Sequence, residues 1–353
     1  MEKAHLLESY TLMTLQHDYA AIREGAAIGS ISPRSQLGVT GDDRASYLQG
    51  LLTNDIQALA PGTGCYAAWL TPQGRMLTDM HVLESGTMIL MDVPADQAVA
   101  TLERLEQFIF TEDVRVVSMA DALTSVWVHG PRAADALQRS LGDVSGLAEW
   151  ANYHHAQFRF QEKQASVARI DQVGVPGYCV YLERADTPTF IDSLRKSGAT
   201  AVERDAIEAA RIEAGYPIFG VDMTDTTIPL EAGIEDRAIS FSKGCYVGQE
   251  VIIRVLHRGG GRVARKLVGL RIGSAGHIEP PEGGPYIRRG AKLFSADREV
   301  GEITSAAESP RSGTIALAYV HRDFVAPDTS LEIATGDRRL PATVTARPIP
   351  SAA

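Results

Sequence analysis

The sequence predicts an α+β protein in which two mixed α/β lobes are followed by an all-β barrel. Three observations carry this reading. Before Lys266, strand-like runs alternate with segments of helical spacing. Hairpin turns interrupt that alternation, which disfavours one doubly wound parallel sheet. From about Lys266 the helical spacing stops, and short strands divided by Gly, Pro and Asp turns take over.

Taken in order, the chain opens on a polar start, after which IREGAAIGSIS leads into QLGVTGDD, a short apolar run closed by a turn. A helix is expected over Arg44 to Thr53, with Asp42 or Asp43 supplying the N-cap oxygen. Tyr66-Ala-Ala-Trp-Leu and Met76-Leu-Thr-Asp-Met-His-Val-Leu flank Thr71-Pro-Gln-Gly74, a hairpin in which Pro fixes the corner and Gly takes positive φ. Then one plan repeats. A strand over Thr87 to Asp92 precedes helical spacing from Pro94 to Gln107, through Val99, Leu102 and Leu105 and on to Phe108, and Val114 to Val117 returns as a strand. Ser125 to His129 restarts the plan with a helix from Pro131 to Leu141, and Tyr178 to Glu183 with a helix over Thr187 to Lys196 gives a third copy. The barrel is written in KLVGLRI, AKLFS, EVGEITSAAES, TIALAYV, SLEIA and PATVTARP, and Arg258-Gly-Gly-Gly-Arg262 reads as a flexible linker ahead of it.

Composition bounds the function. The chain has 353 residues, of which 44% are hydrophobic and 22% charged, as in a soluble globular protein of two or three domains. A formal net charge of -10 disfavours direct binding of nucleic acid by bulk phosphate neutralisation. No apolar run approaches the roughly 20 residues needed to span a bilayer, and the start lacks the apolar core of a signal peptide. A cytoplasmic monomer with no membrane partner is expected. Cys65, Cys179 and Cys245 form no CxxC pair, which argues against a structural zinc site, a self-contained cluster or a disulfide framework. Cys65 and Cys179 fall in apolar strand patterns and read as core.

One stretch stands apart: Ser242-Lys-Gly-Cys-Tyr-Val-Gly-Gln-Glu-Val-Ile-Ile-Arg254. The thiolate is the reactive form of cysteine, and a cation such as Lys243 favours it. Gly244 and Gly248 allow backbone to approach a ligand closely. Equally, Cys245 reads as a small buried hydrophobe beside a turn.

Lys243-Gly-Cys-Tyr-x-Gly-Gln-Glu250 resembles the signature of the YgfZ-like branch of the folate-binding T-protein superfamily, the relatives of glycine-cleavage aminomethyltransferase. The likeness continues in the family's order through residues 18 to 56, with Leu-Gln-Gly at Leu48 to Gly50 and Thr-Asn-Asp at Thr53 to Asp55. It includes Gly74 to Asp79, Ala210 to Pro217, Ile228 to Glu231, Gly301 to Ser305 and Ile315 to Val320. The resemblance implies the aminomethyltransferase folate-binding fold over residues 16–262, a C-terminal barrel over 263–348, and a central hole that receives tetrahydrofolate. It further implies an auxiliary protein for iron-sulfur cluster assembly or repair, with client or assembly proteins as partners, a tRNA-modifying enzyme among them. A tetrahydrofolate-dependent aminomethyltransferase or demethylase, and a non-catalytic partner-binding scaffold, are the alternatives.

By the same resemblance Cys245 and Asp79 are candidate catalytic residues. Asn54, Asp55, Glu231, Lys243, Tyr246, Gln249, Glu250 and Arg254 are candidate folate-binding residues, and no metal site is implied. Their plainer readings are a cap for Asn54 and Asp55, a solvated pair for Lys243 and Glu250, a backbone bond for Gln249, core for Tyr246 and a surface cation for Arg254. Arg211 and Glu213 read as helical, either near the site or as a surface ion pair. The sequence also departs from the transferases. Thr78 replaces the first acid of an Asp-Asp pair. Val175, within Gly174-Val-Pro-Gly177, stands where they carry a pterin-binding Glu; losing such a charge-assisted pair costs about 2–3 kcal/mol. Glu231 is the expected substitute.

Overall fold

The computed structural model describes residues 2–142, 144–257, 260–273, 287–336 and 338–351. Arg258 and Gly259 of the expected linker lie outside the described residues.

The chain opens on a helix, Glu2–Glu24, where the sequence reading had only a polar start. Leu15, Tyr19 and Ile22, spaced four and three apart, make a narrow apolar stripe that packs with Ala206, Ile207 and Ala210 of helix Arg204–Ala214. Charged residues between them hide the stripe in a linear reading.

Two sheets follow. The first has five antiparallel strands in the order Thr63–Leu70, Met76–Glu84, Ile89–Pro94, Arg34–Thr40, Arg115–Ser118. Helices Arg44–Leu51 and Ala98–Glu106 close a core around Leu37, Leu48, Trp69, Val82 and Met91. The helix from Arg44 ends at Leu51 rather than Thr53, because Thr53 turns its hydroxyl to the carbonyls of Ala68 and Ala238. Asp43 sits at the N-cap position without capping; its carboxylate accepts instead from the Asp113 amide at 2.9 Å.

The second sheet has six strands in the order Thr200–Ala201, Ala27–Ile28, Leu123–His129, Gly177–Glu183, Lys163–Arg169, His155–Phe160. Its last two strands form a hairpin that the sequence reading did not separate. Helices Ala133–Leu141 and Thr187–Lys196 cover it with Leu137, Phe190 and Leu194. The uncovered faces of the two sheets meet through Leu83, Leu90, Trp127, Ile170 and Tyr181.

The barrel is closed, in the order Arg265–Ile272, Gly313–His321, Arg298–Ser309, Lys292–Ser295, Ser330–Thr335, Arg338–Thr345. Closure removes the sheet edges that would otherwise template aggregation. A bulge between Ile303 and Ser305 lets Thr304 and Ser305 both donate to Asp222. The other oxygen of Asp222 takes Arg211 Nη1 at 2.8 Å. The surface pair expected of Arg211 and Glu213 is therefore absent. Both are buried: Arg211 binds Asp222 and Glu208, and Glu213 binds Arg23, Tyr19 and Ser309. These contacts join the first helix, helix Arg204–Ala214 and the barrel. No described helix is long and apolar enough to cross a membrane.

Candidate functional site

The segment from Ser242 to Gly248 leads into helix Gln249–His257. Lys243 points inward, and its ammonium donates to the carbonyls of Gln49 (2.6 Å), Leu52 (2.6 Å) and Asn54 (2.9 Å). These carbonyls lie at and just beyond the C-terminus of helix Arg44–Leu51, where acceptors lack intrahelical partners and a cation suits the dipole. Burial pulls the Lys243 pKa down to about 8, with Asp55 opposing. All three donors are engaged, so none is turned to Cys245, and Lys243 and Glu250 do not pair.

Glycine is required at two positions here. Gly248 has φ 85°, and a Cβ there would lie 2.5 Å from the Thr71 carbonyl oxygen. Gly74, φ 74°, would place its Cβ 2.9 Å from Val251. The signature thus approaches the hairpin turn backbone to backbone at Gly248, and Gly74 leaves room for the Val251 side chain, as only glycine permits. Tyr246 is core, packed with Tyr66, Leu70, Met76 and Ile252, and burial pushes its phenol up to about 12. The Val247 amide donates to the Gly50 carbonyl.

Cys245 therefore sits exposed on a short loop whose flanks, Lys243 and Tyr246, are both anchored. The reading of Cys245 as a buried hydrophobe is corrected. Cys65 is half-buried, with burial pushing its thiol up to about 12, and Cys179 is fully buried in its strand. Gln249 reaches toward the Gly244 carbonyl at 3.5 Å. Glu250 and Arg254 are exposed, and their side chains form no hydrogen bond or ion pair among the described residues.

Asn54 spends its amide on the carbonyls of Tyr66 and Arg237, and its oxygen takes the Asp55 amide. Asp55 accepts from Gln49 at 3.0 Å and from the Ala58 amide. Glu231, on Pro229–Ala232, pairs with Arg265 at 3.4 Å, and Arg265 lies 4.5 Å over the Tyr319 ring of the barrel. Val175 packs with the Ile207 and Tyr216 cluster.

Asp79 belongs to a second group, where the two sheets and the segment leading to the barrel meet. Its carboxylate takes the Tyr66 hydroxyl at 2.8 Å and Arg34 Nη1 at 3.3 Å. Arg34 also binds Asp92 at 3.0 Å. Burial opposes the Arg34 cation, but the Asp92 and Asp79 carboxylates outweigh it and push its pKa up. His81, paired across the strands with Tyr66, is fully buried. Burial first, then the cations of Arg34 and Arg237, push its pKa well below the ordinary value, so the ring is neutral. Gln172 Nε2 lies 3.3 Å from His81 Nε2, and with the amide donating the ring proton is on Nδ1.

Aromatic rings wall this group. His81 is 5.7 Å from Tyr66, 5.8 Å from Tyr153 and 6.1 Å from Trp127, centroid to centroid. Tyr153 is held at φ 67°, a left-handed conformation that costs a non-glycine residue about 1–3 kcal/mol. Four polar atoms are sealed from solvent without a hydrogen-bond partner among the described residues: His81 Nδ1, Gln172 Oε1, Trp127 Nε1 and Tyr216 OH. Leaving such an atom unpaired costs about 1–3 kcal/mol, which makes this group a candidate for binding a polar ligand. Aromatic planes with mixed donors and acceptors fit a flat heteroaromatic ring such as a pterin.

Sequence reasoning found Asp79 but missed Arg34, Tyr66, His81, Gln172, Tyr216 and Arg237. Asp79 and His81, two residues apart in strand Met76–Glu84, share a face, and that is the signal that was available. Arg237 and Gln172 carried none.

The GCVT N-terminal domain model matches residues 7–243, and the glycine cleavage T-protein C-terminal barrel domain model matches residues 265–349. The aminomethyltransferase of Prochlorococcus marinus is 26% identical over 348 residues, 95% of this chain and 90% of the relative. That of Bacillus subtilis is 28% identical over 315 residues, 87% of this chain and 83% of the relative. The crystal structure of glycine cleavage system aminomethyltransferase T from Bartonella henselae superposes with a TM-score of 0.82 over 95% of this chain and 89% of that one, at 21% identity, which establishes the shared fold. With both domain models matched in order across two lobes and a closed barrel, the chain belongs to the glycine-cleavage T-protein family.

Proposed function

We propose that the chain is a tetrahydrofolate-binding member of this family that serves iron-sulfur proteins as an auxiliary factor, in the manner of the YgfZ-like branch. The observation that carries the reading is the exposed Cys245, set on a loop fixed by the three Lys243 hydrogen bonds and by the close approach of Gly248 to Thr71. A thiol that is accessible yet positioned suits contact with a client protein better than chemistry on a small molecule in the interior. Tetrahydrofolate, when bound, supplies a reduced pterin able to carry a one-carbon unit. His81, Gln172 and Trp127 have the unpartnered atoms to bind and orient such a ring, with Tyr66, Tyr153 and Tyr216 excluding water around it.

The experiment pairs Cys245→Ala with wild type in cells lacking the protein, reading the activity of cluster-dependent enzymes. Restoration by wild type but not by the variant supports the reading. Equal restoration by both removes the thiol from it.

A second reading, aminomethyl transfer to tetrahydrofolate, is favoured by Asp79 beside the Tyr66 hydroxyl and by the names of the relatives. Against it, both carboxylate oxygens of Asp79 are occupied, by Tyr66 and Arg34, and the neighbouring position is Thr78. Release of ammonia from an aminomethyl donor, dependent on tetrahydrofolate and on purified protein, would decide for this reading.

A further inference from the structure

The junction of lobes and barrel holds two cations that the proposed function leaves unused. Arg347 follows the last barrel strand and runs its stem across Gly215, where an added Cβ would overlap Arg347 Cγ. Its Nη2 then donates to the Gly233 carbonyl at 2.8 Å. Gly215 and Gly233 end helices at φ 67° and 61°, so glycine at both keeps the path of this side chain open. Arg237 approaches from the other side. Its guanidinium carbon stands 3.9 Å over the Tyr216 ring and 4.9 Å from the Tyr66 ring.

Neither guanidinium is neutralised by contact. Arg237 Nη2 and Arg347 Nη1 are sealed from solvent and lack hydrogen-bond partners among the described residues, as does the Tyr216 hydroxyl. No ion pair forms at either arginine among the described residues. The acids that act on them from farther away are Asp79 on Arg237, and Glu235 and Asp222 on Arg347. Burial, and then the Arg237 charge, pull the Arg347 pKa down to about 10, so the two half-buried cations lie within electrostatic reach of each other. Guanidinium N–H groups sealed from solvent are ordinarily paired, and a half-buried guanidinium with such free groups is a preferred receptor for a carboxylate.

We propose that Arg237 and Arg347, with the Tyr216 hydroxyl as a third donor, form a subsite for a ligand carboxylate at the lobe–barrel junction. The carboxylate comes either from the glutamyl end of a folate or from a separate small carboxylic acid. The subsite stands whether or not a pterin binds nearby.

Glutarate is the probe. Thermal melting of the full chain is followed with glutarate against sodium chloride of matched ionic strength, for wild type, Arg237→Met and Arg347→Met. Methionine keeps an apolar stem over Tyr216 or Gly215 and removes the cation. The expected result is a glutarate-dependent rise in melting temperature for wild type, absent in both variants. An equal rise in the variants, or none in wild type, overturns the proposal. Should Arg347→Met fail to fold, Arg237→Met alone carries the comparison. Anaerobic titration with tetrahydrofolate and with 6-methyltetrahydropterin, which has no carboxylate, then assigns the source. If the folate supplies the group, wild type favours tetrahydrofolate by about tenfold or more and Arg347→Met loses that preference. If a separate acid supplies it, the two reduced pterins bind alike. Absence of binding by either pterin, with the glutarate effect intact, would remove the folate reading and leave the subsite.

Discussion

Lys243 is the residue on which the placement of the exposed thiol depends. Its ammonium satisfies three carbonyls at once, so Lys243→Met leaves them unmatched; the expected loss is about 2–4 kcal/mol in urea unfolding, with faster alkylation of Cys245 as its loop loosens. No loss of stability would show that water replaces the cation freely. His129 makes a second prediction, in pH. It is fully buried, stacked on Trp127 at 5.9 Å, and burial pulls its pKa from 6.5 to about 4. Below 6.5 the unfolded chain takes up a proton that the folded ring refuses, so stability falls as pH drops from 6.5 toward 4 and does not change on this account above 6.5. The shift corresponds to about 3 kcal/mol at the acid end. His129→Gln should flatten that limb in unfolding measured between these pH values, and an unchanged slope would assign the limb to other groups, such as His81. Neither role was legible in the sequence. Lys243 read as a partner of Cys245 or Glu250, because adjacency in the chain says nothing about which way a side chain turns.

Among the elements, the hairpin turn at Gly74 and the helix from Gln249 are locked together by two glycines. Gly248→Ala places a Cβ against the Thr71 carbonyl in a backbone conformation that alanine resists, at a cost of about 1–3 kcal/mol or more. Amide exchange should accelerate in helix Gln249–His257 while the barrel amides keep their protection; uniform protection would mean that the helix is held by its apolar face alone. The barrel was the most legible element, since alternating residues and turn chemistry are local signals: five strands fell within a residue of the expected segments, and the last, expected over residues 341–348, runs Arg338–Thr345. Helix Thr187–Lys196 was read to its ends. The first helix was not, because it is stabilised by a partner distant in sequence, helix Arg204–Ala214, and neither was the hairpin of His155–Phe160 with Lys163–Arg169, whose exposed outer strand pairs on one side only.

The whole molecule sets two sheets face to face and joins them to a closed barrel through helices Arg204–Ala214 and Pro229–Ala232, and several of the unpartnered polar atoms among the described residues lie between the sheets and near these helices. The family signature pointed to a folate protein and found Asp79, but the folate-binding residues expected of it, Asn54, Glu231 and Tyr246 among them, are engaged in backbone bonds, an ion pair with Arg265 and core packing. The group around His81 was illegible because Tyr66, Trp127, Gln172 and Tyr216 are scattered over 151 positions, two in paired strands and two in the loops after a strand and a helix, and converge only in the fold. That convergence is the central claim, and one measurement tests it most directly: calorimetric titration of tetrahydrofolate, under anaerobic reducing conditions, into wild type and into Gln172→Met. The methionine preserves volume and removes the amide whose oxygen lacks a partner. Saturable binding by wild type, weakened about tenfold or more in the variant, is the predicted result. Binding that is unaffected by the substitution would place the ligand elsewhere, and no binding by wild type would contradict the claim outright.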